Sequence, residues 1–90
     1  MPKCSVVYVR RAEKKLYALD SKIAERIAKK VEYYSLTTDP LAEAKALSGA
    51  MKGLYRYRVG DYRIIFSVDS NRVITILTIL DIAHRKDVYR

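Results

Sequence analysis

Three arginines stand close together in the stretch LYRYRVGDYRIIF. Arg56 and Arg58 are two residues apart, so their side chains lie on the same side of an extended strand. Gly60 and Asp61 predict a two-residue hairpin loop, which pairs Arg58 with Arg63 on the next strand. Guanidinium groups stay charged at physiological pH and match the geometry of phosphate oxygens. The cluster is therefore a candidate phosphate-binding site.

The predicted pairing places like charges directly opposite each other. Such residues have side-chain stems about 5 Å apart, and like charges in that relation destabilise a sheet. Arg58 opposite Arg63 thus costs stability unless an anion or an acidic group neutralises the pair. In the alternative interpretation, the arginines extend into water and pair with Asp61 or Asp69. The pattern alone favours neither interpretation.

A second group of polar residues closes the sequence, in LDIAHRKDVYR. It follows the apolar run VITILTIL and includes His84, Arg85 and Tyr89. His84 is the only histidine; it can exchange a proton near neutral pH, and we expect it just beyond the last strand, bordering the arginine surface. A solvated tail would explain the charges but not an aromatic residue at the penultimate position. Tyr89 is therefore a candidate functional residue.

Other catalytic patterns are missing from the sequence. It has no G-x-x-x-x-G-K-[ST] loop, no metal-spaced set of histidines and cysteines, and no Ser/His/Asp constellation with evident roles. Cys4 has no second cysteine with which to form a disulfide, and we interpret it as a small residue of the first strand. We expect no metal and no cofactor.

Composition indicates a small basic protein. The 90 residues predict one domain spanning positions 1–90, and 18 Lys plus Arg against 10 Asp plus Glu give a net charge of +8. This excess favours an anionic partner, such as nucleic acid, an acidic protein or lipid head groups, although solubility alone is an alternative explanation. The longest apolar run, residues 73–80, is too short to span a bilayer, and the start lacks a secretory pattern. We expect a cytoplasmic protein without membrane contact.

The amino-terminal half predicts a strand followed by two helices. CSVVYVR (4–10) is rich in β-branched residues, and RAEKKLYAL (11–19) places Ala12, Leu16 and Leu19 on one helical face. A second helix over residues 22–36, capped by Asp20 or Ser21, has its lysines and glutamates on the face opposite its apolar residues. These apolar residues are Ile23, Ile27, Val31 and Tyr34.

The carboxyl-terminal half predicts a three-stranded meander. A possible short helical turn after Pro40 is followed by the strands LYRYRV, YRIIFSV and VITILTIL. The last strand is apolar at both alternations, so we expect it to be central, buried on both faces, and adjacent to the first strand. The fold class is therefore α+β, in the order β-α-α-β-β-β, with an antiparallel-rich four-stranded sheet and a helical hairpin packed on one face.

The element order, the stretch LSGAMKGLYRYRVGDYRIIFSV and the ending ILDIAHRKDVYR together resemble the RelE/ParE superfamily of toxins from type II toxin-antitoxin systems. The resemblance covers nearly the whole chain. Its most specific parts are L-x-G followed by Y-R-x-R-x-G-x-Y-R-I-I-F, and the terminal H-R-x-x-V-Y. It implies a compact sheet with a helical hairpin on one face.

Within that superfamily, the RelE-like branch cleaves messenger RNA in the ribosomal A site and the ParE-like branch poisons DNA gyrase. The sequence resembles the RelE-like branch better, which implies a ribosome-dependent, metal-independent endoribonuclease. The basic strand residues of the RelE-like branch correspond to Arg56, Arg58 and Arg63 of this sequence. The tyrosine near the carboxyl end of that branch corresponds to Tyr89, which would stack on a base. The alternatives are a gyrase inhibitor without nuclease activity, or an inactive toxin relic.

Two positions depart from the RelE pattern. Lysines of that pattern are replaced by Arg56 and Arg58, and arginine is a poor general base because it does not readily lose its proton. At one further position the RelE pattern has an arginine where this sequence has Ala83, so Arg85 or His84 would supply the role of that arginine.

The resemblance also implies partners. They are the ribosome with its messenger RNA, and a cognate antitoxin encoded by an adjacent gene. An acidic, amphipathic segment of the antitoxin would cover the basic surface, and the apolar last strand is compatible with such a contact. Operator DNA would be bound only through the antitoxin.

Overall fold

The computed structural model describes residues 4–88, which form a five-stranded sheet and two main helices. The strand order across the sheet is β1-β5-β4-β3-β2. The elements in chain order are β1 (Ser5–Tyr8), α1 (Arg10–Ala18), α2 (Ser21–Ser35), β2 (Lys45–Ala46), a 3-10 turn (Gly49–Met51), β3 (Tyr55–Val59), β4 (Tyr62–Asn71), β5 (Val73–His84) and α3 (Arg85–Val88). The α+β class and the order of the predicted elements are confirmed.

The prediction of four strands was wrong by one. A short strand, β2, forms where we predicted a helical turn, and Lys45 and Ala46 pair with Arg56 and Tyr55 of β3. The outer edge of β3 would otherwise leave backbone groups without partners, and β2 supplies them. The contact continues through a hydrogen bond from the Leu47 amide to the Leu54 carbonyl, with a donor-acceptor distance of 2.9 Å.

Both predicted helices form and pack mainly by the predicted faces, except that Ile23, which we placed on the apolar face of α2, is 37% exposed. Ala12 and Leu16 of α1, and Ile27 and Val31 of α2, are buried. The Asp20 carboxylate caps α2 by accepting a hydrogen bond from the Lys22 amide at 2.9 Å. Within the described residues, neither helix has the length and apolar character required to cross a membrane.

Strand β5 is central, as predicted, with β1 parallel on one side and β4 antiparallel on the other. Its expected burial on both faces was wrong. Leu77 and Ile79 are buried on the side of α1 and α2, whereas Ile76 and Thr78 are only half-buried. We call the side of the sheet that faces away from α1 and α2 the open face.

The core is organised around Tyr57 of β3, which is fully buried. Its ring stacks on Phe66 at 4.3 Å between centroids and contacts Tyr34 of α2 at 4.6 Å. Its hydroxyl donates a hydrogen bond to the carbonyl of buried Pro40 at 2.6 Å. Burial raises the pKa of Tyr57 far above its usual value. Because these contacts join α2, β3 and the loop after α2, Tyr57 ties the tyrosine side of the hairpin to the helices.

Replacing Tyr57 by phenylalanine tests the buried hydrogen bond. We expect Tyr57→Phe to lower the free energy of unfolding by about 1–2 kcal/mol, because the buried Pro40 carbonyl loses its donor. Tyr55→Phe, at a half-buried position of the same strand face, should change it by less than about 0.5 kcal/mol. Denaturant unfolding of both variants is the measurement, and equal losses would contradict the assignment.

Candidate functional site

The hairpin between β3 and β4 has the predicted register. Arg58 is the cross-strand partner of Arg63, and Arg56 is the partner of Ile65. Gly60 opens the loop with a φ of 59°, a conformation that favours glycine. A Cβ at Gly60 would also lie 3.3 Å from Nη1 of Arg26. The loop therefore disfavours other residues at this position and holds the two strands in one register.

This register places the arginine cluster, Arg56, Arg58 and Arg63, on the open face. The alternate positions, including Tyr57 and Ile64, are buried under the helices. Arg58 is exposed, while Arg56 and Arg63 are half-buried. The structure thus brings together three of the six predicted site residues.

Strand β2 adds a fourth cation that the sequence analysis missed. Lys45 is the cross-strand partner of Arg56, and directly paired residues share a face of the sheet. Lys45 is exposed. No local pattern in the sequence predicts this neighbour, because a two-residue strand has no periodicity and forms only through its pairing with β3.

Arg85 is attached to the loop of the same hairpin. Its amide donates a hydrogen bond to the Asp61 carbonyl at 2.7 Å, and its Nε lies 3.7 Å from Oδ1 of Asp61. Asp61, one of the two acids proposed as partners for the cluster, therefore contacts Arg85. These contacts hold Arg85 at the hairpin loop, and its catalytic role remains a prediction.

His84 lies on the other side of the sheet. It is the last residue of β5, not a residue beyond the strand as expected, and its ring meets Tyr62 edge-on at 5.1 Å between centroids. Its Nδ1 accepts a hydrogen bond from the Lys86 amide at 3.2 Å. The structure does not bring His84 to the arginine surface that we expected it to border.

A bulge explains this placement. The partner of Ile65 is Asp81 but the partner of Phe66 is Ile79, so one residue of β5 is skipped. An extra residue reverses the alternation of sides beyond it. Ala83 consequently becomes the partner of Arg63 on the open face, and His84 joins Tyr62 on the helix side.

The open face also contains a covered apolar position beside the arginines. Ile65 is only 7% exposed, although it does not belong to the core that the helices cover. Side chains of the open face must therefore cover it. At the adjacent bulge, the carboxylate of Asp81, the cross-strand partner of Ile65, is directed toward α1 and forms ion pairs with Lys15 at 2.7 Å and Arg11 at 3.7 Å, which link α1 to this end of β5.

The arrangement suits charge stabilisation better than proton transfer. Within residues 4–88, no group of three or more His, Cys, Asp or Glu side chains could hold a metal ion. Arginines can bind phosphoryl oxygens and stabilise charge that develops on them. Tyr89 lies outside the described residues, so its role remains a prediction.

Comparison with known proteins decides the family. Residues 6–89 match the family model described as the ParE toxin of type II toxin-antitoxin system, parDE. The chain belongs to this toxin family. The resemblance to the RelE/ParE superfamily is thereby confirmed.

Relatives of this toxin include RelE-type proteins. Toxin RelG of Mycobacterium tuberculosis is 28% identical over 86 residues, which is 96% of this chain and 95% of the relative. A chain of the toxin-antitoxin complex RelBE2 of the same organism superposes with a TM-score of 0.76 at 24% identity, covering 94% of each chain. The archaeal RelE-RelB complex of Pyrococcus horikoshii gives a TM-score of 0.68 at 25% identity, covering 92% of this toxin and 96% of that chain.

The opposed arginines of this toxin generate a stability prediction. Replacing Arg58 by glutamine should leave the free energy of unfolding unchanged or raise it by up to about 1 kcal/mol, because a like-charge pair is relieved. Lys52→Gln removes the same charge from another exposed position and should change stability by less than about 0.5 kcal/mol. Thermal and denaturant unfolding are the measurements. A clear loss of stability in the Arg58 variant alone would contradict the idea of a repulsive pair.

Proposed function

We propose that this toxin is a ribosome-dependent endoribonuclease that cleaves messenger RNA in the A site and thereby inhibits translation. The observation that carries the proposal is the pairing of Arg58 with Arg63 on the open face, with Arg56 and Lys45 in the adjacent row. An anionic substrate would offset the repulsion between these cations. The fold similarity to RelE structures supports the same activity.

In the proposed reaction, the ribose 2′-hydroxyl attacks the adjacent phosphorus and loses its proton to water, and the bond from phosphorus to the 5′-oxygen breaks. The products are a 2′,3′-cyclic phosphate, or the 3′-phosphate formed from it by water, and a 5′-hydroxyl. Arg58 and Arg63 stabilise the charge that develops on the phosphoryl oxygens, an effect often worth a few kcal/mol per donor. Arg56 and Lys45 position the strand, and Tyr89 stacks on a base.

Arginines bind phosphate well but accept protons poorly. We therefore expect slow cleavage of free RNA and infer that the ribosome supplies the missing orientation. Fixing the reacting groups in place can lower a barrier by several kcal/mol. Arg85, which is held at the hairpin loop, assists the departing 5′-oxygen.

A cognate antitoxin is the second partner that we propose. Two of the similar structures are complexes named as a toxin with its antitoxin or as RelE with RelB. On this chain, an acidic segment of such a protein would contact the arginine cluster, and its apolar residues would cover Ile76, Thr78 and Val7, the last of which is 49% exposed. We expect its gene beside that of the toxin, operator binding through the antitoxin, and a cytoplasmic location.

Substitution of Arg63 tests the nuclease. On programmed ribosomes with an empty A site, Arg63→Ala should cleave the A-site codon about 100-fold more slowly than the parent, because one donor to the phosphoryl oxygens is lost. Primer extension measures the rate. Arg10→Ala, which removes an exposed arginine of α1, is the control and should retain the parent's rate. Equal rates for Arg63→Ala and the parent would contradict the proposal.

Substitution of His84 decides between the two candidate acids. We expect His84→Asn to keep the cleavage rate within about threefold, because His84 lies on the helix side and an asparagine oxygen can accept the Lys86 amide bond in place of Nδ1. The cleavage rate should depend on pH between 5 and 8 in the same way in the parent and in this variant. A pH-dependent change in rate that is present in the parent and absent from the variant, together with a large loss of rate, would assign the acid role to His84 instead of Arg85.

Gyrase inhibition is the second candidate function, favoured by the ParE description of the matching family. In that case the arginine cluster would bind a protein or DNA surface and would cut nothing. Folded, antitoxin-free toxin would then block DNA supercoiling by gyrase and leave A-site codons intact. The nuclease proposal requires the reverse result in both assays.

A further inference from the structure

Two leucines lie on the open face next to the cations, and the proposed reaction does not use them. Lys45 is the cross-strand partner of Arg56, and the pairing continues two residues further to Leu47 and Leu54. A hydrogen bond from the Leu47 amide to the Leu54 carbonyl joins these two backbones at 2.9 Å. Residues two apart along an extended strand share a side of the sheet. We call Leu47 and Leu54 the leucine row.

The burial of the leucine row agrees with this placement. Both leucines are half-buried, and neither packs against the core that the helices cover. Continuing the β3–β4 register by one residue places Leu54 beside Ser67, diagonally next to Ile65. Ile65 is 7% exposed and also lies outside that core. The leucine row and Ile65 therefore form an apolar surface that adjoins the arginine cluster.

A short loop brings the two leucines together. Residues 48–53 connect them, with Gly49 at a φ of 65° and Gly53 at a φ of 95°. A Cβ at either glycine would meet no atom within 4 Å, so backbone conformation, and not lack of space, favours glycine here. The L-x-G motif of the sequence, which begins at Leu47, thus belongs to the loop that closes the leucine row.

The spacing along β3 fits one strand of RNA. With a rise of about 3.3 Å per residue, Leu54 lies about 7 Å from Arg56 and about 13 Å from Arg58 along the strand. A phosphate bound by the arginine cluster therefore has an apolar surface within reach of a neighbouring base. Unstacked bases bind between apolar and aromatic side chains. Aliphatic side chains form no hydrogen bonds with a base, so they discriminate by the area they bury, which is larger for a purine.

We propose that the leucine row contacts the base of the messenger RNA nucleotide next to the scissile phosphate and makes the toxin prefer a purine at that codon position. This inference rests on the proposed nuclease function and names the codon selectivity of the same site. Leu54, which is nearer to Ile65 and the arginine cluster, carries the larger share of the contact. The antitoxin segment proposed above would instead cover Val7, Ile76 and Thr78, on the other side of β4.

Cleavage of a set of codons tests the leucine row. Programmed ribosomes present A-site codons in which each position in turn is a purine or a pyrimidine, and primer extension measures the rates. The parent should prefer a purine at one position, and Leu54→Ala should reduce that preference by about tenfold, because small losses of apolar contact change discrimination by such factors. Leu47→Ala should reduce the preference at the same position.

Two control variants separate base contact from folding. Leu36→Ala shortens a leucine that is 64% exposed at the end of α2, and it should retain the parent's preference. Leu54→Met keeps an apolar side chain of similar volume and should also retain it. A parent without codon preference would overturn the proposal. So would equal slowing of all codons by Leu54→Ala with the preference unchanged, because that result assigns the leucines a structural role.

A binding measurement distinguishes this inference from the nuclease proposal. Ribosomes are programmed with A-site codons that carry 2′-O-methyl groups, which remove the attacking hydroxyl, and the affinity of the toxin is measured for each codon. The same purine preference should appear in affinity and weaken in Leu54→Ala. Binding with this preference, without cleavage of unmodified codons, would overturn the nuclease proposal alone. Cleavage by the parent with no effect of either leucine substitution on codon preference would overturn the leucine row alone.

Discussion

The alternation of side chains along the β3–β4 hairpin is the constraint on which the structure depends. The same two strands supply Tyr57, Ile64 and Phe66 to the core and the arginine cluster to the open face. A slip of one residue would exchange the two sets and place guanidinium groups under the helices. The core therefore fixes the position of the arginine cluster, and the Gly60 loop fixes the register.

This arrangement uses core stability to offset a repulsive surface. The stacked rings of Tyr57 and Phe66 remove large apolar areas from water, and aromatic pairs of this kind add to the gain from burial. On the opposite face, Arg58 and Arg63 are cross-strand partners, a relation in which like charges destabilise a sheet. Stability is thus concentrated on one side of the hairpin, and the anion affinity that we propose lies on the other.

Local patterns predicted much of this molecule. Three of the predicted features follow from interactions within a few residues or across a tight turn. They are the helical spacing of Ile27 and Val31 in α2, the Asp20 cap and the pairing of Arg58 with Arg63. The central place of β5 followed from its apolar composition. Family resemblance supplied the toxin assignment, which the residues alone did not reach.

Features set by distant contacts were not predictable in the same way. Strand β2, and with it Lys45 beside Arg56, exists only because β3 offers an unpaired edge. The side occupied by His84 depends on the bulge at which β5 passes Ile65 and Phe66, and no alternation in VITILTIL signals an extra residue. The half-buried second face of β5 reflects the placement of both helices on one side. A strand's composition cannot tell whether its second apolar face meets a layer of the same chain or another partner.

The most direct test of the central claim, that the open face performs phosphoryl transfer on RNA, is the chemical identity of the ends formed in the A-site codon. Messenger RNA from programmed ribosomes treated with folded, antitoxin-free toxin would be recovered and both ends of the break analysed. We expect a 5′-hydroxyl on one fragment and a 2′,3′-cyclic phosphate or 3′-phosphate on the other. An intact codon, or a break that carries a 5′-phosphate, would contradict it.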